Sequence, residues 1–375
     1  MKVAFIPSLV SGVMFYRIWQ QAEALRKLGH KVAVLWWSPK ITMFHPWQTD
    51  LPHNPKIFKD INMACQWADV VVWQMLNQPH SLNLFGNMRK LHPKPFLSEY
   101  DDDVFNVPSY SPASNVYQNG SDFSRIAHTQ IVNSDALIVS TPYLKEAYSR
   151  YNDNIHVMEN TIDFRLWGGS TSYPHGLSCK RKVNIGWVGG GTHIGDLDMV
   201  KEAIFETLEK YKNVTFTCVH GCPEFFKWHK QIKWTNEFKT IDKYPKWVKS
   251  FKFDIGIAPL IDNAFNRSKS NLRWLEYSVM GIPTVASKVD HFEKSITDGY
   301  DGYLVETKEE WKNRLALLIE SEELRRTIGT NAKNTIKEKW TPMVVGRKYA
   351  DCLKEIYNAK HDKSNSVVNG GIANR

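Results

Sequence analysis

Long apolar runs are missing from this 375-residue sequence. No stretch approaches the ~20 uninterrupted apolar residues that a membrane-spanning helix needs. The opening run Val3-Ala4-Phe5-Ile6 ends at Pro7 and is too short for a signal peptide. The expectation is a soluble, cytoplasmic protein. Cysteine is scarce too. Cys65, Cys179, Cys218, Cys222 and Cys352 are odd in number and scattered, which argues against a disulfide framework and for a reducing compartment. Cys218 and Cys222 flank His220, but no second Cys/His pair follows at ligand spacing, so no metal site is expected there. Two phosphate-binding signatures are also absent. Neither glycine loop of the chain ends in Gly-Lys-Ser/Thr, and neither is a full G-x-G-x-x-G, which excludes a Walker loop and weakens an NAD reading.

What is present is a basic, tryptophan-rich α/β chain. Its 14 Trp and ordinary apolar content permit a sizeable core. At ~150 residues per domain the length suggests two domains. The formal charge of +9 is unevenly spread, because residues 1–165 are close to neutral and the rest carries nearly all the excess. A basic half suits an anionic partner, nucleic acid or a membrane surface, although solvated lysine faces are common.

The first forty residues read strand (Lys2–Pro7), loop with Gly12, helix (Met14–Leu28, with Met14, Ile18, Ala22 and Leu25 at helical spacing), stop at Gly29, and strand (Lys31–Trp37). That is a βαβ unit. Further buried strands are expected at Ala68–Trp73, Pro95–Glu99 and Ala136–Ser140. A Gly/Ser/Pro-rich stretch from Trp167 then reads as a linker, after which the opening pattern restarts. Val183–Val188 is a strand, Gly189-Gly190-Gly191-Thr192 a glycine turn, and a helix runs from about Asp196 to Lys210, followed by strands at Val214–Val219, Asp254–Pro259 and Pro283–Ser287. The expected fold class is therefore α/β, two Rossmann-like doubly wound domains facing a central cleft. The expected boundaries are 1–166, a linker 167–181, 182–340, a C-terminal helix 341–360 packing back on the first domain, and a disordered tail 361–375.

Gly12 and Gly189–Gly191 both follow a strand and precede a helix, where backbone amides can meet phosphate; plain tight turns are the alternative. The most informative segment runs from Phe265 to Pro283. It reads as a short helix with Ser270 as N-cap, a stop at Gly281 and Pro283, and a buried stripe of Leu272, Leu275 and Val279. Glu276 stands at the edge of that stripe, in the half of the helix where the macrodipole disfavours a carboxylate. Such an acid needs a partner, either a basic side chain or a pair of sugar hydroxyls. Lys269, just before the helix, is either solvated or adds to a field for a diphosphate.

This segment, Phe265-Asn266-Arg267-Ser268-Lys269-Ser270-Asn271-Leu272-Arg273-Trp274-Leu275-Glu276-Tyr277 followed by Gly281-Ile282-Pro283, resembles the donor-site signature of family-4 type retaining glycosyltransferases of the GT-B fold. Other landmarks keep the family's order: Gly12 through Leu28-Gly29-His30, Asp135–Thr141, Asn160-Thr161-Ile162-Asp163, Ile185–Gly189, and Asp298-Gly299 with Gly302–Val305. The resemblance implies that Glu276 holds the donor ribose. It also implies that Lys269, Ser270, Asn271 and the Gly190, Gly191 and Thr192 amides hold the diphosphate, and that Ile241 and Tyr244 pack the base. Two positions depart from the pattern. Ser268 stands where the family has the first Glu of a Glu-x₇-Glu pair, leaving sugar recognition to Asp262, Asn263 or Asn266. His193 follows the glycines where a cation is expected.

Asp101-Asp102-Asp103 ends the run that closes at Tyr100. Three adjacent carboxylates repel, and the run reads as acceptor binding or hydroxyl activation, as a solvated turn, or as a metal-binding D-x-D, which the GT-B resemblance disfavours. His128 is a candidate base or an ordinary histidine. Phe225–Lys252 interleaves eight lysines with aromatics, a pattern for phosphates and stacked bases, for lipid headgroups, or for basic helices over an aromatic core. The resemblance thus implies an enzyme, a retaining hexosyl- or pentosyltransferase with a nucleotide-sugar donor, UDP-sugar favoured. It needs no cofactor or metal, and the acceptor is a lipid, glycan or small molecule. The alternatives are a DNA-modifying enzyme acting on hydroxymethylated bases, a non-catalytic nucleotide-sugar-binding relative, and a GT-B-like epimerase or phosphorylase. Peripheral membrane contact is compatible with all of them.

Overall fold

The computed structural model describes residues 1–8, 12–35, 57–117, 120–168 and 182–370. Among them, two parallel six-stranded sheets are present. The first contains β1 (Lys2–Ile6), β2 (Lys31–Val34), β3 (Val70–Gln74), β4 (Phe96–Tyr100), β5 (Ala136–Val139) and β6 (Ile155–Val157), in the order β2-β1-β3-β4-β5-β6. The second contains β7 (Val183–Val188), β8 (Val214–Val219), β9 (Ile232–Thr235), β10 (Ile255–Ala258), β11 (Thr284–Ser287) and β12 (Tyr303–Val305). Its order is β12-β11-β10-β7-β8-β9. Helices cover parallel sheets on both faces, which is why β3, β4, β5, β10 and β11 are buried along their whole length.

The chain divides into two units. Unit 1 comprises Met1–Val104, Gln118–Glu159 and Pro342–Arg375; unit 2 comprises Phe105–Tyr117 and Asn160–Thr341. The sequence placed the whole of 1–166 in the first domain, whereas Phe105–Tyr117 belongs to unit 2. The reason is tertiary: the Tyr110 hydroxyl accepts from Asn263 Nδ2 at 3.0 Å and from Asn266 Nδ2 at 3.3 Å, and its ring lies over Gly195. The C-terminal helix belongs to unit 1. It runs from Pro342 to Gly370, so the segment expected as a disordered tail is helical to that point. Gly346 is the residue that lets this helix approach Gln20–Lys27, since a Cβ there would stand 2.5 Å from Ala24 Cβ. The linker expected at 167–181 lies outside the described residues apart from Trp167 and Gly168.

The first helix departs from regular form. Phe15–Trp19 is a π-helical turn between Gly12–Met14 and Gln20–Lys27. Single π turns often mark a special side chain, and here it is Arg17, 2 % exposed, whose Nε meets Glu99 Oε1 at 2.6 Å and whose Nη1 donates to the Met158 carbonyl. Burial pushes the Glu99 carboxyl above its ordinary range while Arg17 opposes that shift.

Candidate functional site

In unit 2 the strand order reverses between β7 and β10, the switch point at which open α/β sheets bind ligands beyond their strand carboxyl ends. The glycine turn leaves β7 at this point. Gly190 caps a single 3-10 turn, Gly191–His193, that leads into the helix Ile194–Lys210. Gly221, at φ +88°, presses its backbone against the turn; a Cβ there would lie 2.9 Å from the Gly190 carbonyl carbon and 3.1 Å from the Gly191 nitrogen. The glycine turn therefore rests on a second backbone whose shape L side chains disfavour. Gly221→Ala is expected to cost more than ~1 kcal/mol of stability, measurable by chemical denaturation.

The helix Leu272–Val279 carries Glu276 and is pinned to the same switch point through the next residue. Tyr277 OH accepts from the Val188 amide at 3.2 Å and donates to the Gly186 carbonyl at 3.2 Å, and its ring fills the space a side chain at Gly256 would need. Glu276 is 3 % exposed. Its Oε2 accepts from Arg273 Nη1 and from Tyr244 OH at 3.2 Å, and Arg273 also donates to Tyr244 OH at 3.0 Å. Burial lifts the Tyr244 phenol above its ordinary range, so it stays a neutral donor. Trp167 meets the Tyr244 ring edge-on at 5.9 Å. Arg273 is the basic side chain that meets Glu276. Ile241 is half-buried in the turn just before the Tyr244–Ser250 helix.

The residues before the Glu276 helix differ in what they face. Lys269 is half-buried, its Nζ 4.2 Å from the centre of the Phe265 ring. Ser270 Oγ accepts from Asn160 Nδ2 at 2.6 Å. Ser270 is not the N-cap: the helix begins one residue later, with Asn271 at the cap and no side-chain capping bond. Asn271 is buried instead, donating from Nδ2 to Ser295 Oγ at 3.0 Å, so what it offers outward is backbone. Ser268 is fully buried and bonds the Phe265 carbonyl at 2.7 Å. The groups considered as replacements for the missing first Glu are engaged with protein. Asp262 is paired with Arg267, and Asn263 caps Ala264–Arg267.

Asn266 and His193 share one network. Asp196, wholly buried, accepts from His193 Nδ1 at 2.8 Å through Oδ2, and from the Ile261 amide and Asn266 Nδ2, both at 2.8 Å, through Oδ1. Asn266 Nδ2 also reaches the Ile261 carbonyl at 2.9 Å and the Tyr110 hydroxyl. His193 is thus aimed by a buried carboxylate at the end of the glycine turn, while Asn266 is committed to holding that carboxylate.

In unit 1, Asp101, Asp102 and Asp103 follow the carboxyl end of β4, as expected. Asp103 is buried and the other two half-buried. The Asp101 carbonyl accepts from Ser140 Oγ at 3.0 Å and the Asp102 carbonyl from Tyr148 OH at 2.8 Å, so the backbone of the run is fixed. His128 is exposed on Asp122–Val132, edge-on to Tyr151 at 5.2 Å. Gly12 opens the first helix of unit 1, and residues 9–11 before it lie outside the described residues.

Comparison with known proteins bears on this arrangement. Residues 200–350, which include Tyr244, Lys269 and Glu276, match the model of a family described as glycosyl transferase-like. Among curated proteins none matches. Solved structures resemble the chain along nearly its full length. Sucrose-phosphate synthase from Thermosynechococcus elongatus is 14% identical with a TM-score of 0.65, over 96% of this chain and 100% of that one. HepE of Anabaena, solved with UDP, is 13% identical with a TM-score of 0.63, over 95% and 100%. A glycosyltransferase from Rickettsia africae is 17% identical with a TM-score of 0.62, over 95% and 98%. The chain has the GT-B fold, and its residues 200–350 form a glycosyl transferase-like region. Three features of the candidate site escaped the sequence reading: Asp196 behind His193, Arg273 on Glu276, and Tyr110 on Asn266. The first two had a local signal, an i,i+3 spacing on a helical turn. Tyr110 had none, because its partners lie 153 and 156 residues away.

Proposed function

We propose that the enzyme is a retaining glycosyltransferase that takes a sugar from a UDP-sugar. The observation that carries the reading is the placement of the glycine turn and the Glu276 helix on one switch point of unit 2, joined by the Tyr277–Val188 bond. The amides of Gly190, Gly191 and Thr192 together with Lys269 and Ser270 bind the diphosphate, and His193, aimed by Asp196, supplies a further hydrogen-bonding group there. Glu276 binds the ribose and exchanges part of its Arg273 and Tyr244 contacts for the two hydroxyls. Ile241 and Tyr244 border the base. HepE, which shares the fold, has been solved with UDP, with UDP and glucose, and with UDP-glucose, which supports a uridine donor. Catalysis then rests on stabilising the departing diphosphate and positioning an acceptor hydroxyl, which attacks from the face the diphosphate leaves. Asp101, Asp102 and Asp103 are the acceptor-binding groups in this reading; exposed His128 is not needed.

Incubation with a panel of UDP-, GDP- and ADP-sugars, read as free nucleotide released, tests the donor. Release from UDP-sugars alone is expected, and release from none of them would remove the reading. Because the diphosphate is held by amides and Lys269, turnover is expected to persist in EDTA. Abolition by EDTA and rescue by Mn²⁺ would instead make Asp101–Asp103 metal ligands. For the acceptor, lipids, glycans and small molecules are the favoured classes. The excess of basic residues after position 165 supports a second reading, a hydroxymethylated DNA base flipped out for transfer. A sugar-sized mass gain on nucleosides from hydroxymethylated DNA would decide for it.

A further inference from the structure

The outer edge of unit 2 carries aromatic surface that neither the core nor the donor site uses. β9 is the terminal strand of its sheet, and next to it Trp228 is 83% exposed and Trp234 46%. Single exposed apolar side chains are ordinary. Two exposed indoles on neighbouring elements are less so: Lys227, the last residue of the Glu224–Lys227 helix and the chain neighbour of Trp228, places its Nζ 4.9 Å from the Trp234 ring centre. Lys230 and Lys233 are exposed between the two tryptophans. Phe238 is also exposed, but its ring sits beside His220 at 5.1 Å, towards the glycine turn.

We propose that this edge docks the enzyme on an anionic lipid bilayer. Indoles on a basic surface match the headgroup layer, where the ring is buried beside acyl chains and lysine meets phosphate. The balance of charge and apolar area separates a bilayer from nucleic acid. Nucleic-acid affinity rises with the number of phosphates neutralised, and here Lys227 is already paired with Glu224 at 2.7 Å and Lys239 with Glu237 at 2.7 Å. Few lysines remain at the patch, whereas the exposed indole area is large, and only a bilayer draws most of its binding from such area. A second copy of the chain fits less well, because pairing of two β9 edges would bring Lys230 and Lys233 of both copies together.

The proposal does not depend on the donor assignment. Its test is sedimentation of the full chain with phosphatidylcholine vesicles, with and without phosphatidylglycerol, together with the tryptophan emission spectrum. The wild type is expected to bind the acidic vesicles with a blue shift and to ignore the neutral ones. Trp228→Ala/Trp234→Ala and Lys230→Glu/Lys233→Glu are each expected to weaken binding about tenfold or more, with UDP binding unchanged. Because all four side chains are exposed, these variants keep the fold, which circular dichroism checks. Absence of binding to acidic vesicles, or binding that both double variants retain, overturns the proposal. So does a concentration-dependent dimer lost in the variants, or retention of single-stranded DNA in place of vesicles.

Discussion

Glu276→Ala is expected to weaken UDP binding by about two orders of magnitude or more, the ~2–4 kcal/mol carried by two charge-assisted hydrogen bonds to a ribose. The buried position of Glu276 complicates the measurement. Removing it leaves Arg273, its partner on the same helix, without that carboxylate, and breaking a partly buried pair destabilises the fold as well. Glu276→Gln separates the two effects, since it keeps the shape and one acceptor oxygen while losing the charge. Binding that falls in both variants, with an unfolding midpoint largely preserved in the Gln form, supports the ribose assignment. Titration calorimetry showing unchanged UDP affinity in a folded Gln and Ala pair would remove it. Tyr244→Phe is the milder companion and is expected to cost ~1 kcal/mol, because it removes one neutral hydroxyl from the cluster.

The second large effect is on stability and lies in unit 1. Arg17 and Glu99 are 2 % and 1 % exposed and meet at 2.6 Å. Either Arg17→Ala or Glu99→Ala strands the opposite charge in the core and is expected to cost ~3–5 kcal/mol. Replacing both at once, Arg17→Met with Glu99→Leu, is expected to recover most of that loss. The chain would then show that the pair is tolerated for its geometry rather than for net stability. Urea denaturation of the singles and the double tests this as a double-mutant cycle, and additive losses would contradict it. The π turn at Phe15–Trp19 gives the experiment a structural readout, since the turn places Arg17 against both Glu99 and the Met158 carbonyl.

Much of the architecture was legible because parallel sheets leave a strong signature. Val183–Val188 and Val214–Val219 read as strands to the residue, since strands covered on both faces are predominantly apolar over that length. The glycine turn before the Ile194–Lys210 helix was legible for a similarly local reason. Short or half-exposed strands were not. β9, Ile-Lys-Trp-Thr, has two exposed residues at the edge of its sheet, and β6 and β12 have three residues each. None offers a pattern that stands out from loop.

By itself the sequence determined that two α/β units stand in tandem, each opened by a strand, and that Lys269 stands just before the short helix that carries Glu276. Residue type and spacing along a few turns suffice for that, because backbone geometry ties local pattern to local structure. Tertiary structure alone decided which groups those residues meet. It drew Phe105–Tyr117 into unit 2 through Tyr110, tied the Asn271 side chain to Ser295, and committed Asn266 to Asp196. These outcomes follow from the need of each buried polar atom for a partner. That need is met across tens to more than a hundred residues of chain, at distances where local spacing carries no information.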